Sequence, residues 1–353
     1  MEKRTGKGGK SVKYRPIGLE SWGTYLPEER HTSKYISEET GIPQEILEDK
    51  FGLTSKTIPG PDDHTVAMGA EASFQALERA NLSPEDLDVI IWAGEVYSER
   101  PMQINGIKLQ KYLGCPQKPW AFDVNQRCGT FLVGMLMAKS LIQIYPEMKY
   151  ILVASGYRNS DLIDYHNENS RFMFSLAASG VAALLKADSQ KNEILDISAI
   201  TDGRFADDVY VPAGGTVEPI TCEAIEEGKT YLDVPDPDGL KQRLDDFSMK
   251  SFERVIDDAL TRSGYTREDI DYLALLHMKR SAFEYVCNAV GVDPYKESTY
   301  FETIGHNGQN DGILSIEFGV KQGKIMNGDL VVIAAAGIGW AWNAGVIKWG
   351  SQK

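Results

Sequence analysis

Four short runs of consecutive apolar residues stand out along this chain: VIIWA at 89–93, YILVAS at 150–155, YLALL at 272–276 and LVVIAA at 330–335. Each is too short for a buried helix and is bounded by polar or glycine-containing turns, so each reads as a strand buried on both faces. Between them lie stretches with helical spacing. In 129–144 the apolar residues Phe131, Leu132, Met135, Leu136 and Leu141 suit a buried helix, and Gly114 and Gly291 close two others. Buried strands alternating with helices predict an α/β chain of mixed sheets covered by helices.

The pattern occurs twice. Residues 76–88 (ALERANLSPEDLD) match 259–271 (ALTRSGYTREDID), with six of 13 positions identical. In both copies a helix ends, a polar PED or RED turn follows, and an apolar run begins. Downstream, LQKYLG at 109–114 parallels VCNAVG at 286–291, and YILVAS parallels LVVIAA. The chain is therefore expected to form two similar α/β halves, 14–190 and 191–353, behind a flexible tail over 1–13. If the strand ends correspond, Gly94 and Glu95 lie opposite His277 and Met278, while Cys128 falls opposite His306. A pseudo-twofold axis would bring these reactive residues together.

Composition narrows the functions open to such a fold. The 353 residues are 42% hydrophobic, enough for a large core, and the net charge is −14. That charge argues against binding a nucleic-acid backbone, which needs basic patches. Small basic groups, Lys279 with Arg280 and Lys250 with Arg254, are the places where an acidic partner would dock. No apolar run is long enough to span a membrane, and the basic, glycine-rich start has no signal core, so a cytoplasmic protein is expected. The cysteines Cys115, Cys128, Cys222 and Cys287 lack CxxC spacing, which suggests free thiols and no zinc site.

Cys128 lies in FDVNQRCGTF (122–131), between a short strand and the buried helix. The unpaired amides at such a turn would lower a thiol's pKa and could hold an oxyanion. His277 emerges where an apolar strand ends. His306 sits in TIGHNGQNDG (303–312), whose glycines permit close approach to a ligand. One thiolate and two imidazoles suit acyl transfer. Gly337, Ile338 and Gly339 follow the last apolar strand and could turn amides toward a reacting carbonyl. Their GxG lacks the following helix of a dinucleotide site, so a nicotinamide cofactor is not expected.

Taken together, the opening GLESWGTYLPEER, FGLTSKT, FDVNQRCGTF, FSLAASGVAALL, the His277 strand end, GHNGQNDG and AGIGWAWNAGVIKW resemble the β-ketoacyl-acyl-carrier-protein synthase III branch of the thiolase superfamily over nearly the whole chain. The resemblance implies a five-layered αβαβα fold of two duplicated halves, normally a homodimer. It also implies no cofactor, coenzyme A or phosphopantetheine thioesters as substrates, and an acyl-carrier protein as a partner. Cys128 then looks like the acylated nucleophile and His277 like the catalytic histidine. The amides of Cys128 and of 337–339 would form the oxyanion hole, and Lys250 and Arg280 would fall near the carrier-protein dock.

Departures from the family pattern open alternatives. The initiating synthases carry asparagine where His306 stands, so this chain reads Cys-His-His unless Asn307 supplies the amide. His306 and Asp311 form a GHxxxxD pattern similar to enzymes of this fold that pass acyl groups to hydroxyl or amine acceptors, in which case Asp311 would orient His277. Glu95 in WAGEVYS resembles the general base of hydroxymethylglutaryl-CoA synthase, which condenses without decarboxylation. Ile46 and Lys50 stand where the family clasps the nucleotide with tryptophan and arginine. Decarboxylative condensation is the leading expectation; transfer to a heteroatom, Glu95-driven condensation and a catalytically silent partner subunit are the alternatives.

Overall fold

The computed structural model describes residues 14–115, 117–294 and 301–351. The tail expected over 1–13 lies outside the described residues. The strands are β1 (Ile17–Tyr25), β2 (Arg30–Thr32), β3 (Ser55–Thr57), β4 (Val89–Ala93), β5 (Trp120–Val124), β6 (Tyr150–Tyr157), β7 (Ser179–Ala187), β8 (Lys191–Thr201), β9 (Tyr272–Leu275), β10 (Leu330–Gly337) and β11 (Ala341–Ser351).

The duplication read from sequence is visible in the pairing. β4 pairs parallel with β6, which pairs antiparallel with β7; β9 pairs parallel with β10, which pairs antiparallel with β11. The strand order is β5-β4-β6-β7-β1-β8-β11-β10-β9, so the second half repeats the first in reverse across the β1–β8 junction. That junction has one registered pair, Gly18 with Glu193, which makes it the seam between two sheets. The matching PED and RED turns take the same form for the same reason. Asp86 accepts from the Ser83 backbone N–H and Asp269 from that of Thr266, each at 2.8 Å, so both turns close as capping boxes that aim the chain into β4 and β9.

Three helical layers sandwich the two sheets. Helix Thr65–Ala80 covers the outside of the first half, packing Ala72 and Leu77 against Trp92, Leu152 and Leu184. Helix Pro237–Ser263 covers the second, with Phe252, Val255 and Ile256 against Leu273, Val332 and Val346. Between the sheets lie helices Thr130–Ile144 and Asp311–Lys321, whose Phe131, Met135, Ile313 and Leu314 meet Ile91, Val153, Ile333 and Ile347 in one core. This is the expected five-layered αβαβα arrangement. The two central helices begin at equivalent places, and the chain just before each carries Cys128 in one half and His306 in the other.

Candidate active site

Cys128 lies in a 3-10 turn, Arg127–Gly129, that runs directly into the central helix Thr130–Ile144. Thr130 stabilises the turn: its hydroxyl donates to the Arg127 carbonyl at 2.5 Å and accepts from the Gln126 N–H at 2.6 Å. Arg127 takes a left-handed φ of 53°, an uncommon conformation for a residue with a β-carbon. Cys128 is 4% exposed.

Across the pseudo-twofold axis, His306 is fixed by a bridge to the chain before β7. Its N–H donates to the Ser175 carbonyl at 2.8 Å, and its own carbonyl accepts from Ala177 N–H at 2.9 Å. Gly305 must precede it: φ is +71°, and a β-carbon there would lie 2.6 Å from both the Ser175 carbonyl oxygen and Lys56 Cβ. The predicted meeting of Cys128 with His306 occurs, Sγ lying 3.7 Å from Nε2. His306 Nδ1 donates to Asp311 Oδ2 at 2.6 Å, which leaves Nε2 facing the sulfur.

Here the geometry corrects one expectation. Asp311 orients the ring of His306, not that of His277; from His277 it accepts only the backbone N–H, at 2.8 Å, while its other oxygen accepts the Asn307 N–H at 2.9 Å. Asn307 does not replace His306 at the sulfur, because its side-chain amide donates to the Ile304 and Gly305 carbonyls. The His277 ring stacks on Phe301, with centroids 5.5 Å apart, and stands edge-on to His306 at 6.3 Å.

Electrostatics also modify the sequence reading. Burial pushes the Cys128 thiol up, against the lowering expected from the turn, and the hydrogen bond to His306 opposes that rise. For His306, burial would disfavour the imidazolium, but Asp311 and Cys128 outweigh it and raise the group to about 10. Burial lowers His277 to about 4, with the Asp311 charge resisting only in part, so His277 is a neutral imidazole at working pH. The two histidines are thus a cationic donor and a neutral one.

Gly337 ends β10 against Cys128: a β-carbon on it would come within 2.9 Å of the Cys128 nitrogen and 3.0 Å of Arg127 Cβ. Gly339, at φ +104°, turns the chain through Ile338 into β11. Glu95, just beyond β4, is buried and accepts from Arg127 Nη1 at 2.9 Å. Arg127 and the buried Tyr157, whose ring lies 6.4 Å from that of His306, are the site residues that sequence reasoning missed. Arg127 was visible in FDVNQRCGTF as a charge beside Cys128; Tyr157 carried no signal apart from its strand.

A cleft of about 510 Å³ opens onto His277 and is lined by Phe51, Phe283, Phe301, Arg280 and Glu302. Arg280 is tied down there, donating to Glu302 at 2.9 Å and to the Asp49 carbonyl at 3.0 Å. Lys50 and Lys250 are exposed and do not line this cleft. Among the described residues there is no cluster of metal-ligating side chains and no helix long and apolar enough to cross a membrane.

Family models for 3-oxoacyl-[acyl-carrier-protein] synthase III match residues 122–203, and those for its C-terminal part match 260–349. The β-ketoacyl-[acyl-carrier-protein] synthase III of Caldanaerobacter subterraneus subsp. tengcongensis is 27% identical over 332 residues, 94% of this chain and 97% of that one. The crystal structure of the 3-oxoacyl-[acyl-carrier-protein] synthase III from Aquifex aeolicus superposes with a TM-score of 0.80 at 20% identity, covering 95% of this chain and all of the other. Xanthomonas campestris OleA, crystallised as a cysteine-to-serine variant with bound lauric acid and lauroyl-CoA, superposes at 0.79 with 16% identity, covering 96% of this chain and all of OleA. Matched models on both sides of the pseudo-twofold axis, full-length relatives and the shared fold agree: along nearly its whole length this chain is similar to the β-ketoacyl-acyl-carrier-protein synthases III, and it has their fold.

Proposed function

We propose that the chain is a condensing enzyme that takes an acyl group onto Cys128 and joins it to a second thioester, a malonyl thioester being the donor that fits best. The observation that carries this reading is Cys128 Sγ at 3.7 Å from an imidazole whose other nitrogen is held by Asp311. In the first half-reaction Sγ attacks the thioester carbonyl. The sulfur–carbon bond to Cys128 forms, the bond to the carrier thiol breaks, and the thiol proton passes to the departing sulfur. The N–H groups of Cys128 and of the 337–339 segment would bind the transient oxyanion.

In the second half-reaction the malonyl thioester loses CO2, and the electron pair of the broken carbon–carbon bond becomes an enolate. His306, with its cationic Nε2–H, and neutral His277 would donate to that oxygen. The enolate carbon then attacks the acyl carbonyl, and Cys128 thiolate leaves. The cleft at His277 would admit the pantetheine arm, and coenzyme A or an acyl-carrier protein would present it. A homodimer in the cytoplasm is part of the same proposal.

The His306–Asp311 pair also supports a second reading. A Cys-His-Asp set can deprotonate a hydroxyl or amine acceptor and pass the acyl group to it. Incubation with an acyl thioester, followed by mass spectrometry, tests the shared step: wild type should gain one acyl group and Cys128→Ala none. CO2 release from malonyl thioester with a 3-oxoacyl product supports condensation. An ester or amide product without CO2 overturns it in favour of transfer.

A further inference from the structure

The Arg127–Glu95 pair has no part in the chemistry above, yet it lies beside the nucleophile. Burying an ion pair seldom stabilises a protein, since desolvation offsets much of the attraction. Arg127 moreover occupies a left-handed backbone conformation, at φ 53°, that a non-glycine residue adopts at a cost. The pair is asymmetric: the Glu95 side chain is 2% exposed, whereas that of Arg127 is 37% exposed. Burial works against the arginine's charge, but Glu95 outweighs it and raises the group, so Arg127 is a fixed cation. Cys128 and Tyr157, when ionised, favour the arginine's charge in the same direction. Of the five N–H donors on a guanidinium, one on Nη1 goes to Glu95, and the others have no hydrogen-bond partner among the described residues.

We propose that Arg127 is a substrate-recognition residue and that the acyl group loaded on Cys128 is a short dicarboxylic one, its free carboxylate received by the open edge of the guanidinium. This rests on the reading of Cys128 as the acylated nucleophile and names the substrate class for it. Glu95 holds the fork in place on one edge; the ligand completes the other. A plain alkyl chain in the same position would strip water from the ion pair and return no hydrogen bond, so the site disfavours it. Planar, two-pronged recognition of a carboxylate is what arginine does better than lysine.

The test compares succinyl-pantetheine with butyryl-pantetheine, which have equal carbon counts and the arm common to coenzyme A and carrier protein. Acylation of Cys128 is followed by intact-protein mass spectrometry. The wild type should react at least about tenfold faster with the succinyl thioester, the advantage shrinking as salt is raised. In Arg127→Met the ratio should fall to about one. If removing the cation alone prevents folding, Glu95→Gln/Arg127→Met removes both charges and should give the same ratio. A wild-type preference for butyryl, or a succinyl preference that survives in the variants, overturns this inference while leaving Cys128 acylation standing. Failure of both thioesters to acylate overturns the acyl-enzyme reading and this inference with it.

Discussion

Asp311 Oδ2 accepts a 2.6 Å hydrogen bond from His306 Nδ1 while also receiving the His277 N–H, so one buried carboxylate sets the position of both histidines. Asp311 is 0% exposed and heads the central helix Asp311–Lys321. Because Nδ1 is committed to it, Nε2 is the only ring nitrogen left for Cys128.

Asp311→Asn should therefore do more than weaken one bond. An amide can present N–H to Nδ1 and stabilise the wrong tautomer, and it carries no charge to hold the imidazolium. Acylation of Cys128 is expected to slow by about 10²–10⁴-fold, the range seen when such a carboxylate is neutralised. The pKa of His306, read by NMR of ring-labelled histidine, should fall from about 10 toward 6.5. A variant that kept the high value would show that Asp311 is not its cause.

Lys56 is an unexpected feature, since the sequence FGLTSKT held no sign of a buried charge. It is 0% exposed, donates to the Leu176 carbonyl at 2.8 Å, and lies 5.0 Å from the centre of the Tyr165 ring. Leu176 is the residue bridged to His306, so β3 helps fix the loop that carries His306. Burial lowers Lys56 from 10.5 to about 7. Between pH 7 and 10.5 the unfolded chain therefore binds more protons here than the folded one, and this residue makes the protein gain stability as pH rises. Lys56→Met removes that gain. Measured by urea unfolding, the variant should match or exceed the wild type near pH 7 and lose ground steadily toward about pH 10. A difference independent of pH would rule out the buried amine as the source.

The reach of the sequence was set by distance along the chain. Polar turns, buried runs and the repeat are local patterns, so the two halves, their layers and the turn holding Cys128 could be read directly. The repeat also placed His306 at Cys128, because symmetry turns a local match into a long-range contact. What it could not supply is which side chain meets which across elements. The Asp311 carboxylate was assigned to the wrong ring, since a five-residue spacing does not say how a loop folds back. Arg127 and Glu95 come from different strand ends, and Lys56 appears on any hydrophilicity scale as a surface residue.

Gly305 tests how tightly the His306 loop is set. At φ +71° alanine is strained, and its β-carbon would overlap the Ser175 carbonyl that receives the His306 N–H. Gly305→Ala should cost about 2–4 kcal/mol in chemical denaturation, combining backbone strain with overpacking. The folded fraction should also acylate slowly, because relief requires moving His306. Wild-type stability in this variant would mean that the loop relaxes more easily than its contacts suggest.

His277 offers a way to separate the two half-reactions. It lies at the cleft, stacked on Phe301, and its ring is not bonded to Asp311. A group lowered to about 4 is a neutral hydrogen-bond donor at physiological pH and a poor proton shuttle there. Its contribution should fall on the enolate oxygen, which exists only after the acyl-enzyme has formed. His277→Ala is expected to slow acylation by less than about tenfold but CO2 release by about 10²-fold or more, as when one donor to a developing oxyanion is removed. His277→Gln, which retains an N–H, should recover part of the second loss. The pH dependence gives an independent check. Since this imidazole charges only near pH 4, the condensation rate should show no inflection near 6.5 that disappears in His277→Gln. Such an inflection would place His277 in the proton-transfer path and require it to be far better solvated than its stacking on Phe301 allows.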